Sequence, residues 1–346
     1  MKTMIGLLLL LWLSASHPGR YQVALVGFYN LENLYDTVDN PMVNDDEFTP
    51  RGIRRYTAAI FRDKLDKLAR VISTMGQEWV NTGPAILGVA EIENDTVLQF
   101  LIQHPLLRDR GYHLVHADSK DRRGVDVALL FQPAFFTPLK AEKIKVTLPP
   151  IRSQAALTRD ILYVSGLFDA DTIHVFVNHW PSRRGGSSRS APARMMAAQT
   201  LQRKITEIHT ASPGAPVIVM GDFNDDPTDP SITEGLQSVA TRAETRAGKL
   251  YNPWTEMYLS GMGTLAHGNS RALFDQILWS DYWLDSTAGH FYYYRARIHQ
   301  LPFMVEDRGR FRGYPMRSWN GTRYRGGYSD HFPVYVVLLK KADAAF

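Results

Sequence analysis

The chain has no cysteine. That excludes disulfides, thiolate metal centres and lipidated cysteines, and leaves apolar packing as the source of stability. Enough apolar material is present, since the 346 residues are 45% hydrophobic and 21% charged, ordinary proportions for a globular protein. Long apolar runs are missing as well. The run Met4–Leu13 falls well short of the roughly 20 residues that span a bilayer. It follows Lys2 and precedes Ser14, Ala15 and Ser16, the pattern of a secretory signal peptide over about residues 1–19. A short N-terminal hydrophobic helix is the alternative. The expectation is a secreted or periplasmic protein with no stable membrane anchor, its mature chain beginning between Ser16 and Arg20. No linker rich in Pro, Gly and Ser and no tandem repeat divides the remainder, so residues 20–346 are expected to form one domain, acting as a monomer. Excess charge of one sign is slight: +4, with an isoelectric point near 9.1. This is compatible with a polyanionic substrate and does not require one.

What the sequence does contain is clearest at Val217-Ile218-Val219-Met220-Gly221-Asp222-Phe223-Asn224-Asp225. Four apolar residues stop at a glycine, and a carboxylate and an amide follow two positions apart. This predicts a buried strand whose C-terminal end opens into a polar site. Alternation sends Asp222 and Asn224 to one face and Phe223 to the other. A carboxylate can take a proton or orient water, and an amide can donate to an oxyanion, which suits hydrolysis of an anionic ester. An Asx-rich turn after a strand is the plainer alternative.

The same ending recurs along the chain. The strand predicted over Tyr21–Phe28 runs into Tyr29-Asn30, and that over Pro84–Ala90 into Glu91. A helix is predicted from about Tyr56 to Met75 and a shorter one over Thr96–His104, with strands at Tyr112–Ala117 and Val125–Phe131. Ile161–Phe168 and Ile173–Val177 read as a hairpin leading to Asn178-His179. A basic loop follows, and Ser190 is expected to cap the next helix with Pro192 in its first turn. Residues after Asn224 read as irregular to about Ala272. Asp275 heads the strand Phe274–Leu278, Tyr282–Tyr294 is an aromatic segment, and Asp330-His331 precedes the last strand, Phe332–Leu339. Many strands with a few helices predict an α/β (α+β) protein of packed sheets covered by helices.

Several of these strings resemble one motif series in order. FYNLENLYD with Asn30, GVAEIEN with Glu91, RRGVDVALLF, NHWPSR, GDFND, FDQILWS and GYSDHFPV resemble the endonuclease/exonuclease/phosphatase superfamily, with its deoxyribonuclease-I-like fold. The likeness runs from about residue 23 to 339. It implies a four-layer α/β sandwich, two sheets face to face with helices outside, and a site where the strand ends converge. By resemblance Glu91 is the principal ligand of Mg²⁺, or Mn²⁺ in its place, with Asn30 and Asp330 nearby; Glu93 is a rival for Glu91. Oxygen donors of this kind suit Mg²⁺. The resemblance also implies that His331, oriented by Asp275, is a base or phosphate contact, that Asp222 handles the attacking water or the leaving oxygen, and that Asn224 and His179 donate to the phosphate. Arg159 and Arg183 are expected to clamp phosphate oxygens.

The function expected from this set is metal-dependent hydrolysis of phosphodiesters in nucleic acid by a secreted endonuclease. The alternative keeps the chemistry and changes the substrate to a phospholipid headgroup, as in a sphingomyelinase, or a small phosphate ester. Two arginine-rich loops favour nucleic acid: Arg183, Arg184, Arg189 and Arg194 after His179, and Arg308, Arg310, Arg312, Arg317, Arg323 and Arg325 before Asp330. Tyr314, Trp319 and Tyr324 among the second group are expected to stack on bases or sugars, the plainer alternative being solvated basic loops paired with local acids such as Glu306 and Asp307.

Overall fold

The computed structural model describes residues 21–148, 158–246, 248–267 and 270–342; the signal segment expected over 1–19 lies outside them. Two strand–helix–strand units organise the chain. In the first, β1 (Tyr21–Leu34) passes through α1 (Ala58–Thr74) to β2 (Ile86–Ile92), which lies parallel to β1. Then come α2 (Asp95–Ile102), β3 (His113–His116), β4 (Asp126–Phe131), β5 (Phe136–Ile144) and β6 (Ile161–Phe168). In the second unit β7 (Asp171–His179) passes through α3 (Ser187–Ala211) to β8 (Val217–Asp222), again parallel. Parallel neighbours need such a crossover, and a helix supplies it. The rest is β9 (Ser238–Val239), β10 (Leu250–Tyr251), α4 (Trp254–Leu259), β11 (Leu265–His267), β12 (Ser270–Ala272), β13 (Asp275–Trp279), β14 (Tyr292–Ile298), β15 (Trp319–Asn320), β16 (Arg323–Tyr324) and β17 (Val334–Lys341).

One mixed sheet has the order β14-β17-β1-β2-β4-β3 and the other β5-β6-β7-β8-β13-β10-β9. Alternate residues of the central strands go to different layers. Ala24, Val26 and Phe28 of β1 meet Val164, Val175, Ile218 and Met220 of the second sheet in the central core. Leu25 and Tyr29 turn outward under Leu65, Leu68 and Ile72 of α1 and Leu98 of α2. Val217 and Val219 turn the other way, onto Ala198, Leu201 and Ile205 of α3. Both faces of each sheet are therefore buried, which is why the central strands read as unbroken apolar runs. The result is the expected sandwich of helix, sheet, sheet and helix.

Three local expectations need correction. The third helix starts at Ser187 after Gly186, and Ser190 lies inside it, its hydroxyl bonded to the carbonyls of Gly186 and Ser187. Pro192 accordingly falls beyond the first turn. The stretch expected to be irregular to about Ala272 holds α4 and the short strands β9 to β12, and no strand signal in the sequence marks β5 or β14. Both are sheet edges with one mostly exposed face, and β5 carries Pro138, so neither shows the apolar signature of a central strand.

Candidate active site

Topology brings the polar strand ends to one edge. Asn30 and Glu91 lie toward the C-terminal ends of the parallel pair β1 and β2, and His179 and Asp222 end the pair β7 and β8 side by side in register. β13 runs antiparallel to β8 with Asp275 opposite Asp222, so a strand start arrives where its neighbour ends. β17 runs antiparallel to β1 with Val334 opposite Phe28, which carries Asp330 and His331 to the same edge. Gly221 permits the approach of β7 to β8. A Cβ there would sit 2.4 Å from the carbonyl oxygen of Asn178.

Irregular backbone aims the side chains. The β1–β2 ladder shifts register between Asn30 and Leu34, and the β2–β4 ladder between Ala90 and Ile92. Glu91, in the second shift, has φ of 60°, and Glu32 and Asn33, in the first, have 49° and 56°. Asn224 has φ of 51° just after β8. Left-handed conformations at four non-glycine residues around one site are the strain that functional sites concentrate.

Hydrogen bonds join the two sheets across the site. Asn30 Nδ2 donates to Asp222 Oδ2 at 3.1 Å, and Asn224 N donates to Asp222 Oδ1 at 2.9 Å. Asn224 Nδ2 donates to the carbonyl of Trp180 at 3.1 Å. Asn33 N donates to Glu91 Oε2 at 3.0 Å, leaving Oε1 facing His179 Nε2 at 3.8 Å. His331 Nδ1 pairs with Asp275 Oδ2 at 2.7 Å, and its Nε2 lies 3.9 Å from both Asp222 Oδ2 and Asp330 Oδ1. Ser329 ties this segment to β1, its hydroxyl donating to the Asn30 carbonyl and accepting from His331 N.

Burial and charge act on these groups in opposite directions. Burial pushes the Asp222 carboxyl up to about 7; His331 opposes that rise and Asp275 adds to it. Burial alone would lower the His331 pKa, but Asp275, with Asp222 and Asp330, outweighs it and raises it well above the usual histidine value. His179 has no carboxylate at hydrogen-bond distance, its Nε2 lying 3.7 Å from Asp222 Oδ2 and 3.8 Å from Glu91 Oε1. Burial, helped by repulsion from Arg159, Arg123 and His331, holds its pKa well below the usual value. One histidine is thus held charged and the other neutral.

The donor set fits a hard divalent cation. Carboxylates of Glu91, Asp222, Asp275 and Asp330 lie at this edge beside Asn30, whose amide oxygen also accepts from Glu32 N at 2.9 Å, and oxygen is what Mg²⁺ selects. Asp222, Asp275 and His331 each offer a ligand atom within 4.8 Å of the others, and Asp275 Oδ1 is buried without a hydrogen-bond partner.

Both arginines expected to clamp phosphate are otherwise engaged. Arg159 is buried, donating to the carbonyls of His179 at 3.0 Å and Trp180 at 2.6 Å and pairing with Asp121 Oδ2 at 3.0 Å. Arg183 donates to the Asn224 carbonyl and pairs with Asp225, Asp226 and Asp229, its guanidinium 4.5 Å from the centre of the Phe274 ring. Arg194 is fully buried, 2.7 Å from Asp225. The first arginine loop is therefore largely framework. Of the aromatic residues expected to stack on bases, Trp319 packs on Phe48 and Tyr56, and Tyr324 packs on Trp319 with its hydroxyl on Asp63.

Two residues escaped the sequence reading. Arg123, in the string RRGVDVALLF, is partly exposed and lies close enough to Glu91 for that carboxylate, with Asp121, to raise its pKa against the opposing effect of burial. Glu32, two residues beyond Asn30, is buried and accepts from Ser318 N at 2.6 Å and Trp319 N at 3.3 Å. It anchors the second arginine segment beneath the site. Only the Asn30-x-Glu32 spacing hinted at it.

Known structures share this architecture. An endonuclease/exonuclease/phosphatase family protein from Bacteroides thetaiotaomicron is 18% identical with a TM-score of 0.56, over 94% of this chain and 100% of that one. A mannosyl-6-phosphatase from Bacteroides thetaiotaomicron VPI-5482 is 19% identical with a TM-score of 0.54, over 91% and 99%. D. rerio TDP2, complexed with a single-strand DNA product, is 15% identical with a TM-score of 0.54, over 91% and 98%. These likenesses show the fold. No significant match was found among curated proteins. The sequence model of the Endonuclease/Exonuclease/phosphatase family matches residues 25–340, a span that contains every strand end described above. The chain belongs to that family and is a phosphoesterase of the deoxyribonuclease-I-like fold.

Proposed function

We propose that this protein is an exported, monomeric, Mg²⁺-dependent phosphodiesterase that cleaves nucleic acid. The observation that carries the substrate is a hollow of about 220 Å³ lined by Arg310 and Arg317, by Arg325 paired with Glu306, and by Phe311 and Tyr314, and sharing Asp330 with the catalytic edge. Cationic and aromatic side chains beside a phosphoesterase centre suit a phosphate chain whose bases or sugars also need contacts. Support for export comes from residues 1–19 alone.

Glu91, Asn30 and Asp330 would hold the cation. When bound, Mg²⁺ supplies Lewis-acid stabilisation of charge on the phosphoryl oxygens. His331, held by Asp275, presents Nε2 toward the same space as Asp222 and donates to a phosphate oxygen. Asp222, fixed by Asn30 and Asn224, orients the attacking water and takes its proton; as the bond from phosphorus to the leaving ester oxygen breaks, that proton is returned to the leaving oxygen. His179 has one N–H to offer and donates it to the phosphate, as does the remaining amide hydrogen of Asn224. Arg123, partly exposed beside Glu91, takes the clamping role that Arg159 and Arg183 cannot fill.

The test is a substrate panel. Mature protein is incubated with plasmid DNA, RNA, sphingomyelin and a chromogenic phosphodiester, each with Mg²⁺, with Mn²⁺ and with excess chelator. Cleavage of DNA or RNA that needs the cation is expected. Turnover confined to sphingomyelin or the small diester would replace the substrate assignment, and full turnover in chelator would remove the metal from the reading.

A further inference from the structure

A second cluster of ligand-type side chains shares no residue with the centre above. His116 ends β3, Asp126 opens β4, Asp118 lies in the loop between them and Asp95 is the first residue of α2. The His116 side chain is only 2% exposed. Its Nδ1 pairs with Asp95 Oδ1 at 2.5 Å. Its Nε2 is buried and has no hydrogen-bond partner among the described residues, yet points at Asp126 Oδ2, 3.7 Å away, and Asp118 Oδ1, 3.9 Å away. The other oxygen of Asp126 already accepts from Ser119 N at 3.0 Å, and Lys143 donates to the Asp118 carbonyl at 2.5 Å. Backbone and side-chain bonds thus turn one oxygen of Asp126 toward the imidazole and hold the loop that carries Asp118.

We propose that His116, Asp118 and Asp126 form a second metal site for a divalent transition ion such as Zn²⁺. The arrangement is that of a carboxylate–histidine–metal relay. A proton on Nδ1 shared with Asp95 fixes the tautomer and leaves the Nε2 lone pair directed at the carboxylates. One imidazole nitrogen with two carboxylate oxygens suits Zn²⁺ better than Mg²⁺, which prefers an all-oxygen shell. Tetrahedral ligands at Zn²⁺ distances lie about 3.4 Å apart. The observed 3.7 and 3.9 Å need a contraction of a few tenths of an ångström, and Asp118, 83% exposed on its loop, can supply most of it. A cavity of about 680 Å³ borders the cluster, its acids Asp118, Asp126, Asp121 and Glu93 outnumbering its cations Lys120 and Arg122, and gives the ion an entry path and an open coordination position. An ion here would brace the loop that also carries Arg123.

A bare imidazolium is the competing account. Asp126 and Asp95 raise the His116 pKa against the opposing effect of burial, so a proton could sit where the ion is proposed. Equilibrium dialysis of full-length protein against Zn²⁺, followed by metal analysis, separates the two. The Glu91→Gln variant serves as the background, so that the reaction centre contributes as little as possible. That protein should retain at least one Zn²⁺ per chain and melt at a higher temperature with Zn²⁺ than without. Adding His116→Gln should lower the retained Zn²⁺ by one per chain and remove the matching part of the melting shift, whatever the cluster of Asp222, Asp275 and His331 still binds. Adding Asp118→Asn, an exposed loop position, should weaken Zn²⁺ binding at least tenfold even if the histidine variant folds poorly. Asp95→Asn should keep the stoichiometry but weaken binding by about 10–100-fold, as outer-shell partners do. Equal stoichiometry and equal melting shifts with and without His116→Gln or Asp118→Asn would overturn the site and leave a protonated histidine held by carboxylates.

Discussion

At the scale of single residues, a guanidinium's partners decide whether it is framework or site: Arg159 is buried on Asp121 and two carbonyls, while Arg123 is partly exposed beside Glu91. Asn30, Glu91, His179, Asp222, Asn224, Asp275, Asp330 and His331 were all visible as polar strand ends, and the structure gathers them at one edge. The arginines show the limit. Arg159 and Arg183 sit near the right strings, but what a guanidinium binds depends on which carbonyls and carboxylates the fold brings beside it. This makes separable predictions. Arg159→Ala removes the buried partner of Asp121 and leaves it only the partly exposed Arg123, 3.5 Å away, so it should cost about 3–5 kcal/mol of stability, read as a lower urea midpoint. Arg123→Ala should leave that midpoint nearly unchanged and raise KM for a small diester. Equal effects of the two substitutions on stability would put Arg123 in the framework. For the acid–base group, His331→Ala should lower kcat by about 10²–10⁴-fold. Asp275→Asn should cost less, because Asp275 touches the imidazole and not the substrate. Full activity in Asp275→Asn would show that the 2.7 Å pair does not orient His331.

At the scale of elements, central strands were legible and edges were not. β1, β2, β7 and β8 are buried on both faces, and their apolar runs end abruptly at chemistry-bearing residues. β5 and β14 bury one face only and carry charge or aromatic residues on the other, so they read as loop or aromatic segment. The bulges at Glu32–Asn33 and Glu91 were equally hidden, because ordinary residues occupy left-handed backbone there and no glycine announces it. Where β14 ends, a pH effect follows. His299 is buried, bonded through Nε2 to Thr74 at the end of α1, and burial lowers its pKa to about 4. The unfolded chain, with a histidine near 6.5, then binds this proton more readily than the folded one. The contribution is intact above pH 6.5 and is lost as pH falls toward 4, by about 3 kcal/mol in all. Glu32 and Asp222 act with the opposite sign, because burial raises their folded pKa values to about 7. The comparison must therefore be between proteins. Urea midpoints of wild type should fall between pH 7 and pH 4.5 more steeply than those of His299→Gln, and parallel curves would mean that His299 takes up its proton without loss of packing.

At the scale of the whole molecule, net charge says little and its placement says more. The excess of +4 is small for 346 residues. The first arginine loop spends its charge on Asp225, Asp226 and Asp229, and within the second Arg325 is paired with Glu306 at 2.9 Å. Arg317 is exposed and only loosely associated, its nearest acid being Asp330 at 4.0 Å, and Arg310 is exposed over the Phe311 ring. Both line the hollow beside Asp330. Arg312 borders a neighbouring depression, with Gln300 and Leu301, which shares Glu306 with the hollow but none of its arginines. If the hollow receives a nucleic-acid strand, binding should weaken with salt, with a log–log slope of roughly −0.9 per phosphate neutralised on duplex DNA and roughly −0.7 on single strands. Replacing Arg310 and Arg317 with Ala should flatten that slope by about two phosphates' worth and raise KM for long DNA. Hydrolysis of a small chromogenic diester should change much less, since such a substrate occupies the metal-proximal edge and not the hollow. Arg312→Ala, from the same segment but outside the hollow, should change neither the slope nor KM. An Arg312→Ala effect equal to that of the double variant would assign the salt dependence to diffuse charge on the loop, and a flat wild-type response would move the substrate to a single phosphate ester.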